Sequence, residues 1–207
     1  MTELRVLIEA GSAKVFATAL DWPGWSRSAK HEVAAVERLM EYQSRYASVV
    51  ARAGVAFVRS LVPVVVEHVV GDASTDFGVP SKPSSTDGEP TTFAERERLV
   101  ALMRASWDTF DEVAAIAPRE LRKGPRGGGR DTDKIVTHIV DAENGYKGKL
   151  GIRGLKDRDE IRAAMVLAVL AGRAPATPTQ WTVRYAARRI AWHALDHAWE
   201  IQDRSQD

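Results

Sequence analysis

The chain changes character once, and that change limits what it can fold into. Up to Gly71 it alternates short β-prone runs with one helical stretch. Residues 72–91, DASTDFGVPSKPSSTDGEPT, are rich in Ser, Pro, Asp and Gly and have no period. Beyond them every strong pattern is helical. The expected class is α+β: a small sheet-and-helix module over 1–71, a linker over 72–91, and a four-helix bundle over 92–207.

Within the first part, LRVLIEA and KVFATALDW read as two strands joined by a turn at Ala10–Ala13, and Pro23-Gly24 closes the second. Ser28 offers an N-cap to one helix through HEVAAVERLMEYQSRYASVVAR, with Gly54 just past its end. The β-branched run LVPVVVEHVV predicts a third strand. In the second part, Thr92 with Glu95 and Asp157 with Glu160 form capping boxes opening two helices, stopped by Pro118 and Gly172. Asp131 or Thr132 caps another helix, running to about Lys147. Thr177, Pro178 and Gln180 open the last, which runs to about Arg204.

The composition excludes several classes of function. The chain has no cysteine, so disulfides, thiolate metal sites and cysteine nucleophiles are absent. A net charge of +1 over 207 residues argues against a nucleic-acid partner. No membrane is expected either, because the most apolar stretch, Ala163–Leu170, is far short of a span. MTELRVLIEAG lacks the pattern of a signal peptide, and the expected location is cytoplasmic.

Three histidines carry the chemistry. His193 and His197 stand four apart in AWHALDHAWE, which on a helix puts both imidazoles on one face about 6 Å apart along the axis. His138, in IVTHIVDAE on another helix, can complete a three-nitrogen metal site with positions left open for water or substrate. Tyr185 and Arg189 continue the stripe of the pair in steps of four. Such a face packs poorly in a core, so it is either a site or a polar surface. Arg189 is a candidate to hold a substrate carboxylate through its planar fork, and Tyr185, Tyr146 and Trp107 are candidate pocket residues. Asp141, and Asp196 or Glu200, are either acceptors that orient the imidazoles or plain surface charge. His31 and His68 lack partners at ligand spacing and read as structural or surface positions. The glycine-rich run 124–130 lacks the lysine and hydroxyl of a phosphate-binding loop. Its basic surroundings, Arg122, Lys123, Arg126 and Arg130, either attract an anionic substrate or are solvated.

On TDKIVTHIVDAENGY and YAARRIAWHALDHAWEIQDR, the chain over about residues 92–205 resembles the DinB-like superfamily. That resemblance implies a four-helix bundle binding a divalent metal, zinc or nickel, through a histidine triad. It also implies a small-molecule substrate, which in some members is a low-molecular-weight thiol, and a homodimer. The expected activity is transfer to or from a thiol, or a related isomerisation or hydrolysis, with the metal activating a thiol or water. DWPGWSRSAKHEVAAVERL is similar to HicB-like modules, in which a short sheet packs on one helix. Two other readings stand beside the enzyme: a metal-binding or stress-response module that turns nothing over, and a HicB-like regulator that binds a partner. A fourth protein ligand would favour structure over chemistry.

Overall fold

The computed structural model describes residues 2–123 and 129–205. It is α+β. A four-stranded sheet in the order β3-β2-β1-β4 contains β1 (Thr2–Ala10), β2 (Val15–Ala19), β3 (Ser26–Ala29) and β4 (Leu61–Val70). The first three strands run antiparallel in sequence order, and β4 lies parallel to β1. Between β3 and β4, α1 (Glu32–Glu41) and α2 (Gln43–Arg52) cover one face. The short helix α3 (Ala73–Phe77) and a 3-10 turn (Ser85–Gly88) follow. The long helices α4 (Phe93–Ile116), α5 (Thr132–Lys149), α6 (Arg158–Ala171) and α7 (Val183–Ser205) come last. These four pack in a ring, α4 against α7, α7 against α5, α5 against α6 and α6 against α4, which makes a four-helix bundle.

The turn between β2 and β3 shows why the Pro-Gly pair stands there. Gly24 has φ +95°, and a Cβ on it would come within 2.6 Å of Leu195 Cδ1 on α7. Only glycine tolerates both the dihedral angle and the approach. The strand beyond it was not expected, since Ser-Arg-Ser-Ala has no β-branched residue and owes its conformation to pairing with β2. Ser28 lies in that strand, and the cap of α1 is His31, whose Nδ1 accepts from the Ala34 amide. The expected single helix breaks at Tyr42 into α1 and α2. Buried Leu39, Tyr42, Tyr46, Val49 and Val50 keep a helical spacing across the break, so the periodicity conceals it.

The capping signals fare unevenly. Thr92 and Asp157 accept from the amides of Glu95 and Glu160 as expected, but the Glu95 carboxylate pairs with Arg184 at 2.6 Å instead of closing a box. Thr177–Gln180 forms a turn, not a helix start. Gln180 accepts from the Ala176 amide, the Trp181 amide donates to the Lys149 carbonyl, and α7 begins only at Val183.

Residues 72–91 do not run free. Buried Glu9 on β1 accepts from the Thr75 hydroxyl at 2.5 Å and from the Ser81 and Lys82 amides at 3.0 Å each. Asp87 forms a buried two-armed ion pair with Arg188 of α7. Specific polar anchors therefore order a segment whose composition carries no apolar period. A single hydrophobic cluster also joins Leu4, Val6, Trp25, Leu39 and Tyr46 of the sheet module to Leu102, Ala105, Leu195 and Trp199 of α4 and α7. Helix α7 is thereby buried on two sides, by the bundle through Ala187, Ile190, Ala194 and Ile201, and by the sheet module. No described helix is long and apolar enough to cross a membrane.

Candidate metal centre

Because α7 lies between two layers, its polar stripe is not left in solvent. His193 and His197 are each only 8% exposed, and His138 of α5 is half-buried opposite them. The three ring centroids form a nearly equilateral triangle, with sides of 4.9, 5.0 and 4.9 Å. One ligand nitrogen from each lies within 4.8 Å of the other two, and Nε2 of His138 is 3.0 Å from Nε2 of His193. Among the described residues no aspartate, glutamate or further histidine joins this group.

The outer nitrogens settle which way the rings face. His193 Nδ1 is 3.2 Å from the Tyr146 hydroxyl, and His197 Nδ1 is 2.7 Å from Glu200 Oε2. Glu200 Oε1 in turn accepts from Arg204 at 2.6 Å. A neutral imidazole carries one proton, and where that proton sits at Nδ1 the Nε2 lone pair points inward. Two such lone pairs 3.0 Å apart repel unless a proton or a cation lies between them. Tetrahedral zinc with bonds of about 2.0–2.1 Å holds its nitrogens about 3.3 Å apart, a spacing between the 3.0 Å of the closest pair and the 4.8 Å within which all three nitrogens lie.

Electrostatics favour neutral rings at His193 and His138. Burial drives the His193 pKa down to about 2, and His197, Arg189, His138 and Arg130 add to the effect. Burial also lowers the His138 pKa, helped by His197 and Arg130 and opposed by Asp141 and Glu200. Burial works to raise the Glu200 carboxyl, but hydrogen bonds from His197 and Arg204 hold it below its usual range. Neutral His138 and His193 and an ionised Glu200 are protonation states that suit metal binding.

The other expected residues divide. Glu200 is an acceptor for the triad, whereas Asp196 is taken by Arg27 at 2.6 Å and exposed Asp141 makes no hydrogen bond to it. Tyr146 touches His193. Tyr185 lies about two turns from His193 along α7, and its hydroxyl, pushed up to about 12 by burial, donates to the Ser81 carbonyl at 2.8 Å. Trp107 is a core residue beneath Arg162. His31 caps α1, and His68 faces Glu32 across 3.0 Å, both away from the triad. Lys123 pairs with Asp131, and Arg122 bonds the Asp203 carbonyl. Arg130 is exposed and acts on the triad through its charge. Arg126 lies outside the described residues. Arg204 was missed, although its spacing of four from Glu200 was a usable signal.

Arg189 differs from the other arginines of α7. Arg184, Arg188 and Arg204 each have a carboxylate partner. Arg189 is 9% exposed, has no ion pair among the described residues, and its Nη1 is buried without a hydrogen-bond partner. Its guanidinium carbon lies 4.8 Å from the Trp192 ring centroid and 5.5 Å from that of Tyr146. No family model, curated protein or solved structure matches the chain.

Proposed function

We propose that this chain is an enzyme that uses a divalent metal ion, zinc or nickel, held by His138, His193 and His197, to act on a small molecule. The supporting observation is the convergence of three nitrogen donors from two helices, two buried and one half-buried, with no fourth protein ligand among the described residues. Three nitrogens without a fourth leave coordination positions for water or a substrate thiol. When bound, a divalent cation lowers the pKa of such a group and makes a nucleophile near neutral pH. The preferred chemistry is transfer to or from a thiol, or a related isomerisation or hydrolysis.

The protein's own groups have distinct parts in this scheme. Glu200 accepts the Nδ1 proton of His197, and the Tyr146 hydroxyl holds His193 through its Nδ1, so that the Nε2 side of both rings is left for the metal. Arg204 keeps Glu200 ionised and in place. The rings of Trp192, stacked at 15° on His193, and of Tyr146 screen the triad from water, which strengthens every charge interaction inside it.

Elemental analysis of protein purified without a polyhistidine tag tests the proposal. About one equivalent of zinc or nickel per chain is expected, and a His193→Ala, His197→Ala double variant is expected to lose it. Full metal content in that variant would overturn the assignment.

A further inference from the structure

Arg189 is a buried cation with no carboxylate partner among the described residues, and its Nη1 makes no hydrogen bond. Burying an unpaired charge is costly, and proteins tolerate the cost where a ligand supplies the missing partner. A second unpartnered donor lies beside it, since Trp192 Nε1 is also buried without a hydrogen bond. Both side chains line a narrow cavity of about 20 Å³ between the sheet and α7, walled by Leu7, Thr18 and Pro80. The two other cations on its wall are already paired, Lys82 with Asp72 and Arg188 with Asp87. Among the cations of that wall, then, only Arg189 awaits an anion.

We infer that this cavity is the carboxylate subsite of the substrate, and that the substrate is a slim carboxylate whose other end reaches the histidine triad. The inference rests on the metal-dependent reading above. Two aromatic rings flank the guanidinium, and its unpartnered Nη1 suits a carboxylate oxygen as acceptor of a charge-assisted hydrogen bond. The cavity has room for little more than one water-sized group, so only a carboxylate head enters it. Arg189 stands one helical turn, about 6 Å, from His193 on α7. Tyr146 spans the gap, with its ring at Arg189 and its hydroxyl 3.2 Å from His193 Nδ1. The N-terminal sheet and residues 72–91 thus gain a role: through Leu7, Thr18 and Pro80 they supply the wall that selects for the acid.

The test uses cobalt-loaded protein and two matched series of thiols. Mercaptoacetate, mercaptopropionate and mercaptobutyrate are titrated against ethanethiol, propanethiol and butanethiol, following the thiolate-to-cobalt charge-transfer band. At least one mercapto acid is expected to bind about 10-fold or more tightly than its neutral counterpart, the scale of one charge-assisted hydrogen-bonded pair. Arg189→Met is expected to abolish that preference while leaving the neutral thiol and the cobalt content unchanged. Trp192→Phe, which keeps an aromatic ring but removes the indole N–H and part of the ring system, is expected to reduce it. No preference at any chain length, or a preference that survives Arg189→Met, overturns the inference while the metal centre stands. Absence of the band with both series counts against the metal centre itself. Butyrate against butanol, followed by tryptophan fluorescence in metal-free protein, then decides the subsite: no saturable, Arg189-dependent signal from butyrate overturns it.

Discussion

Replacing Glu200 by alanine removes the acceptor that holds the His197 proton at Nδ1, 2.7 Å away. Without it His197 is free to rotate or to carry its proton at Nε2, and either change withdraws one of three donors from the centre. Carboxylates in this position are worth 10–100-fold in metal affinity, about 1.4–2.7 kcal/mol. Glu200 sits in the upper part of that range for two reasons. It is ionised, held below the usual carboxyl range by His197 and Arg204 against the effect of burial. It is also fixed from the far side by Arg204 at 2.6 Å, so the unmodified protein spends little freedom in orienting it. Competition with a chromogenic zinc chelator at neutral pH measures the loss directly. Asp196→Ala is the control, because Asp196 lies on the same helix but is bound to Arg27, and its replacement should leave affinity within about twofold. Equal affinities for Glu200→Ala and the unmodified protein, or equal losses in both variants, would refute the role assigned to Glu200.

Gly24→Ala places a Cβ at φ +95° and 2.6 Å from Leu195, and is expected to cost about 1–3 kcal/mol of stability, read as a lower midpoint in urea. Acid should also destabilise the metal-free protein. The folded state keeps His193 neutral down to about pH 2, while the unfolded chain protonates it near 6.5. Stability is therefore full above 6.5 and falls as pH drops below it, by up to about 1.4 kcal/mol per pH unit for this one group. Urea titrations between pH 7 and pH 5 are expected to show that slope, and His193→Asn to flatten it.

Local rules read from the sequence determined most of the helical half. The capping residues at Thr92 and Asp157, and the left-handed glycine at position 172, mark helix ends through contacts a few residues long. The spacing of His193 and His197 put both rings on one face, because rotation per residue inside a helix is fixed by its own hydrogen bonds. Sequence also identified His138 as a candidate, but only packing brought it to the pair, 55 positions away along the chain. The same holds for the choice of Glu200 over Asp196, the short strand of Ser26–Ala29, the late start of α7, and the ordering of residues 72–91 by Glu9 and Arg188. Each of these depends on which groups meet across elements. Periodicity within one element fixes the direction of a side chain but not what faces it. That partner is chosen when α7 is enclosed between bundle and sheet, where Arg184, Arg188 and Arg204 meet carboxylates and Arg189, among the described residues, does not.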